Sequence, residues 1–272
     1  MLTDVHCHIH NLIDVFPQAE IERRRLGVIA VTNSCDMEEF LYNEELARKA
    51  AGEKAAPVLP SFAIHPQQPA ALAEQKMRDS EIASLNEELL ETLDKLAAAG
   101  RIAAVGECGF DLYNEMYRET EAQQDSIFAS HIETALRYDL PVIIHARRAM
   151  HKIFSWTKLL TKSRAVIFHS WQGTYEEGNS LLRRGINVYF SFGNTILKNH
   201  KQAIRCCSLF PADRLLTETD APWQPARGQN FSQWQDLRRI VSAAAELRGE
   251  NEKELENRIE NNFKEIFAAN LN

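Results

Sequence analysis

Asp4, His6, His8 and His10 occupy every second position at the start of the 272-residue chain, interleaved with Val5, Cys7 and Ile9. Along an extended segment such residues share a face, so His6 and His8 can offer two nitrogens to one ion. Further apolar runs end in His65, Glu107, His145, His169 and Asp220. Taken singly, each has a plain structural reading. An HxH pair is a weak motif, and Glu107 can belong to a buried ion pair. His145 and His169 can be hydrogen-bonded core histidines, and Asp220 can cap the segment that follows. Taken together, one shared partner accounts for them more simply than a series of separate local hydrogen bonds. A divalent cation is that partner, because imidazole and carboxylate suit zinc, manganese or magnesium. Cys7 faces the other way and reads as small packing. His10 continues the period, but the strand has ended by then.

The elements that must position these groups follow from the apolar pattern. The N-terminal run LTDVH is the first of eight expected strands. The others are Gly27–Asn33, Ser61–His65, Arg101–Glu107, Leu140–His145, Arg164–His169, Ile186–Ser191 and Asp213–Asp220. Pro60 stands in front of the third, where a strand tolerates it. Helical stretches lie between them, such as MEEFLYNEELARKAAG and SEIASLNEELLETLDKLAAAG, each ending on a glycine suited to a C-cap. HKIFSWTKLLTK and TILKNHKQAIRCC read as the helices after strands five and seven. Strands alternating with helices predict an α/β chain, a distorted (β/α)8 TIM-like barrel of parallel strands filling residues 1–272 as one domain. An open doubly wound sheet is the competitor. It would gather polar residues at one switch point, whereas here they close many strands, as in barrel enzymes.

Composition narrows the function. With 31 basic against 38 acidic residues the net charge is −7, so the chain as a whole offers no general electrostatic grip on nucleic acid. Five cysteines without a CxxC pair read as reduced thiols in a cytoplasmic protein. No secretory leader is recognisable, and no apolar run reaches the roughly 20 residues that span a bilayer. A monomer without membrane contact is the expectation.

The stretches TDVHCHIH, SFAIHP, AAVGECGFDLY, LPVIIHAR, VIFHSWQG, NVYFSFG and DRLLTETDAPW followed by RGQN resemble the TatD-type metal-dependent deoxyribonucleases of the amidohydrolase superfamily. The resemblance implies one or two divalent ions and hydrolysis of DNA phosphodiesters. It implies metal ligation by His6, His8, Glu107, His145, His169 and Asp220, with Glu107 able to bridge two ions. It implies catalytic roles for Asp220 as proton acceptor, for Glu107, and for His65 and Arg147 near the substrate phosphate. His10 stands where the family usually carries an acid, Ala63 where glycine is common, and FHSWQG where FHCFSG is more usual. These departures bear on substrate preference more than on chemistry.

A ligand set in a cup admits a strand end more readily than a rod, so the expected substrate is single-stranded DNA or a strand end, cut as by a 3′-5′ exonuclease. Trp171, Trp223 and Phe110 can stack on bases, although packing around the rim is the commoner role. Lys198, Arg227 and Arg148 can contact phosphates, with solvated surface charge the default. Two alternatives remain. One is a superfamily hydrolase of a small-molecule ester, lactone or amide; Glu107 stands where many of those branches use a carboxylated lysine. The other is a binding protein that kept the fold, against which the complete ligand set argues.

Overall fold

In the computed structural model, which describes residues 1–271, each apolar run becomes one parallel strand. They are β1 Thr3–Cys7, β2 Ile29–Thr32, β3 Val58–Phe62, β4 Ala104–Asp111, β5 Val142–Arg147, β6 Val166–Phe168, β7 Val188–Phe192 and β8 Leu215–Thr217. They pair in sequence order in one eight-stranded sheet. The sheet curls until its ends meet. Thr217 Oγ1 donates to the Thr3 carbonyl (2.8 Å), and Asp220 N donates to the His6 carbonyl (3.0 Å). The result is a nearly closed (β/α)8 barrel, as the alternation of strands and helices predicts.

Side chains alternate between the two faces of each strand. The inward set includes Val5, Val31, Leu59, Ile143, Ile167, Tyr189 and Leu216, all buried. Phe263, Ile266 and Phe267 of the helix Glu252–Phe267 join this cluster, and that helix also meets the start of β1 through the Met1 amine and Glu256. The barrel is therefore plugged with apolar groups at its N-terminal end, and each buried Phe or Ile contributes roughly 1.5–3 kcal/mol. The outward faces pack under the helices, for example Phe62, Val105 and Phe110 against Leu93, Phe128 and Ile132.

Several boundaries differ from the sequence expectation. β3 begins at Val58, so Pro60 lies inside it. Its ladder with β4 opens at Ser61–Ala104, and the missing Pro60 N–H costs that ladder nothing. β4 runs on to Asp111, past the expected end at Glu107. β8 is only three residues long; Asp213 sits in a 3-10 turn, and Asp220 lies beyond the strand. The helix expected after β7 begins at Lys201, the segment before it being turn. The one after β5 is broken into Met150–Ser155 and Thr157–Leu160. The short helices Ile9–Val15, Ala19–Leu26 and Gln68–Glu74 were not expected, since seven or eight residues carry too little periodicity to be seen. Among the described residues no helix is long and apolar enough to cross a membrane.

Candidate metal centre

The upper end of the barrel reverses the chemistry of its interior. His6, His8, His65, Glu107, His145, His169 and Asp220 all meet there, around a cleft of about 590 Å³ whose wall also includes Arg147 and Trp223. The structure thus brings the six expected metal ligands, His65 and Arg147 to one cleft.

The local backbone explains how. β1 carries a bulge between Asp4 and Cys7 and ends at Cys7. His8 is therefore not a strand residue, contrary to the expected alternation. Its backbone (φ −119°, ψ 79°) has left the extended region, yet its ring stays beside His6, 5.0 Å from that ring and edge-on to it. Cys7 points away into the core, with its thiol donating to the Val31 carbonyl (3.2 Å). In β4, two glycines bracket Glu107. A Cβ on Gly106 would lie 2.6 Å from Ile143 Cβ, and one on Gly109 (φ +128°) would lie 2.2 Å from the His145 carbonyl. Only glycine lets β4 close on β5 here, and that closure sets Glu107 against His145.

Glu107 is the hub. Its Oε1 lies 2.8 Å from His145 Nδ1, 3.0 Å from His169 Nε2 and 3.3 Å from His65 Nε2. Its Oε2 lies 3.1 Å from His6 Nε2 and 3.7 Å from His8 Nε2. Asp220 Oδ1 faces His6 and His8 at 3.4 and 3.5 Å. Burial pushes both carboxyls up. The surrounding imidazoles outweigh it and hold Glu107 and Asp220 well below the usual carboxylate range: His169, His65 and His6 act on Glu107, and the nearby His6, His8 and His169 rings act on Asp220. Burial and the neighbouring His169 push His6 down, but Glu107 and Asp220 win and raise it to about 9. His169 is raised well above its ordinary value by Glu107 and Glu218 against burial. His145 is raised by Asp111 and Glu107 against burial, and burial lowers His65.

Three overlapping groups have their ligand atoms within 4.8 Å of one another: His6–Glu107–His169, His6–His8–Asp220, and His65–Glu107–His145. His6 Nε2 is buried and has no hydrogen bond of acceptable geometry, although two carboxylates lie nearby. An unpartnered buried polar group costs about 1–3 kcal/mol, and this nitrogen points where an ion would sit. The donor set therefore fits divalent ions, with Glu107 common to two of the groups. A fourth group, Cys35, Asp36 and Glu39, is more exposed. There the Cys35 thiol donates to Glu39 (3.3 Å), and burial beside that carboxylate raises it, so it stays a thiol.

Sequence reading missed the groups that orient these ligands. Asp111 Oδ2 lies 3.1 Å from His145 Nε2. Glu218 Oε1 lies 3.4 Å from His169 Nδ1. Asn33 Nδ2 lies 2.8 Å from His6 Nδ1, and Asn33 Oδ1 accepts from Ser61 Oγ (2.8 Å). A carboxylate behind a ligand imidazole, as Asp111 and Glu218 are placed, fixes ring orientation and tautomer in metal sites. Gln224 Nε2 donates to Asp220 Oδ2 (2.7 Å). Asp4, fully buried, accepts from the Thr219 hydroxyl and amide and so anchors the segment carrying Asp220; burial pushes its carboxyl up to about 7 against those hydrogen bonds. Two of these left a trace in the sequence: Asp4 shares the even spacing of His6 and His8, and Asp111 shares the strand parity of Glu107.

The remaining candidates divide. His10 sits in the helix Ile9–Val15 with its ring edge-on to Tyr42 (5.2 Å), apart from the cleft. Trp171 is buried against Phe168 and Phe190, and Phe110 against Phe128, so neither is free to stack on a base. Trp223 is 54% exposed on the cleft wall. The Arg147 guanidinium lies 3.6 Å from the Tyr113 ring centroid, with Arg148 at 4.7 Å from the same ring.

The TatD related DNase family model matches residues 3–268. A "3'-5' ssDNA/RNA exonuclease TatD" of Erwinia tasmaniensis is 32% identical over 187 residues, covering 66% of this chain and 71% of that protein. The protein of the same name from Pantoea vagans is 30% identical over 191 residues, with coverages of 66% and 71%. Among solved structures, YjjV, a TatD homologue from Escherichia coli K12, superposes with a TM-score of 0.79 at 24% identity, covering 98% of both chains. An uncharacterised amidohydrolase from Saccharomyces cerevisiae gives 0.77 at 14% identity, covering 98% of this chain and 99% of that one.

Proposed function

This chain belongs to the TatD-related DNase family, and from that premise we propose that it is a divalent-metal-dependent 3′-5′ exonuclease acting on single-stranded nucleic acid. The observation that carries the reading is the convergence of five imidazoles on Glu107, with Asp220 beside them, at the mouth of a barrel otherwise filled with apolar groups.

His6, His8 and Asp220 would hold one ion and His145 and His169 a second, with Glu107 within reach of both sets. When bound, zinc, manganese or magnesium polarises a phosphoryl oxygen and lowers the pKa of a water molecule. The chain's own groups supply the rest. Gln224 fixes Asp220 Oδ2 and leaves Oδ1 turned to the cleft, where it holds the hydrogen of the attacking water. His65 and Arg147 donate to the phosphoryl oxygens as negative charge grows there. Arg147 stands over the Tyr113 ring, which limits its rotamers and sets the guanidinium before substrate arrives. Trp223 offers an aromatic face to the terminal base. The cleft is a cup, so a single strand enters by its end while a duplex lies across the rim. The bound cations supply the field that an acidic chain lacks.

The test is a digestion series on end-labelled single-stranded DNA, duplex DNA and RNA, with and without chelator, beside a lactone and an amide. Stepwise shortening of the single strand from its 3′ end, lost with chelator, is the expected result. Turnover of the lactone or amide with intact oligonucleotides would overturn the assignment.

A further inference from the structure

A second cavity, of about 500 Å³, adjoins the catalytic cleft. The two share Gln172 and Gln224 as walls. Thr195 lies in the second cavity's lining, and Lys198 and Lys201 stand at its edge, both exposed. The charges here are unbalanced. Lys198 Nζ reaches only the Gln224 carbonyl (3.5 Å), and among the described residues neither lysine has a carboxylate within ion-pair distance. Lys201 opens the helix Lys201–Leu209, which has no acidic residue in its first turn. A cation at that position opposes the helix dipole, whose N-terminal end favours an anion. Other helices of the chain place acids there: Glu176 and Glu177 open Tyr175–Arg183, and Glu38 and Glu39 open Met37–Gly52. Two ammonium groups without a carboxylate partner thus stand over one cavity that shares its walls with the cleft, in a chain of net charge −7.

We infer that this cavity, beside Lys198 and Lys201 and across Gln224 from Asp220, binds a phosphodiester of the substrate strand that is not the one being cut. The inference rests on the nuclease reading and deepens it. The cleft grips the scissile phosphate, and the cavity grips a neighbouring phosphate along the same strand. Gln224 forms the partition, since its side chain holds Asp220 and its carbonyl receives Lys198. A substrate with a single phosphate reaches only the cleft.

The experiment compares the wild-type protein, loaded with Mn²⁺, with the Lys198→Ala/Lys201→Ala double variant on two substrates: the oligonucleotide dT5 and thymidine 5′-(p-nitrophenyl phosphate). The expected result is a KM for dT5 raised about tenfold with kcat kept. The log–log salt dependence of kcat/KM should fall by about 0.7, the contribution of the one single-strand phosphate contact that is lost. The one-phosphate ester should be cleaved equally well by both proteins, which also shows that the variant is folded. Lys198→Arg/Lys201→Arg should restore the dT5 values. An unchanged KM and salt slope on dT5 overturns the subsite while leaving the nuclease reading intact; so do equal losses on both substrates. Wild-type protein that cleaves neither substrate overturns the nuclease reading, and the subsite falls with it.

Discussion

Loading the metal-free protein with divalent ions should release about two protons per chain near pH 7. Glu107 and Asp220 are held ionised, and without metal their charges are met by protons on His6, raised to about 9, and on His169, raised well above its usual value. A coordinating imidazole must give up its proton on the metal-facing nitrogen. At pH 7 removing the His6 proton costs about 3 kcal/mol, because it titrates two units higher and each unit is about 1.4 kcal/mol. Metal affinity at pH 7 is therefore about a hundredfold below its limit from this group alone. It should climb about tenfold per pH unit for each proton displaced, with the His6 contribution levelling off above pH 9. The sign follows from the direction of the shift: a histidine raised by its neighbours is protonated over the whole range below its new value, so added alkali favours the ion. Isothermal titration calorimetry with Mn²⁺ in buffers of different ionisation enthalpy reads the proton count directly. Release of less than half a proton, or an affinity flat between pH 6 and 8, would refute the reasoning.

Other outcomes follow from the same geometry. Asp220→Asn should lower kcat on single-stranded DNA by roughly 10²–10⁴-fold while leaving the circular dichroism spectrum unchanged; full activity would remove Asp220 from its role. Asp111→Asn and Glu218→Gln, which touch His145 and His169 from behind, should each weaken metal binding about 10–100-fold in a competition assay with a fluorescent chelator. His131 is buried on the helix Glu121–Arg137, where its Nε2 accepts the Ile64 amide (3.1 Å) just before His65. Burial lowers it to about 3, so the native state stays neutral while the unfolded chain takes up a proton below pH 6.5. Stability should fall by about 1.4 kcal/mol per pH unit from this group between pH 6.5 and 3, and His131→Gln should flatten that slope in urea titrations.

The barrel is legible in the sequence because its strands are apolar on both faces and close on residues an apolar strand does not need. His6, Glu107, His145, His169 and Asp220 stand out for that reason. What is hidden is whatever depends on a neighbour across the sheet. Nothing in TETD distinguishes Glu218, which faces His169, from any other acid, and nothing in VTNS marks Asn33 as the partner of His6. Gln224 acquires its role only because the backbone turns through φ +51° and returns its amide to Asp220. Trp171 lies beside a ligand in sequence yet turns inward, since Phe168, Phe190 and Phe210 offer it a buried aromatic pocket. β1 shows the reverse case. The strand stops before His8, yet the His8 ring still lies 5.0 Å from the His6 ring and edge-on to it, so the reading of paired histidines survives a wrong boundary.

The account stands on shared divalent ions at the barrel mouth. Anomalous diffraction from crystals grown with Mn²⁺ addresses that directly. Peaks bounded by His6, His8, Glu107 and Asp220, and by Glu107, His145 and His169, are the expected result. A map with no peak at the barrel mouth, or one only beside Cys35, Asp36 and Glu39, would contradict it.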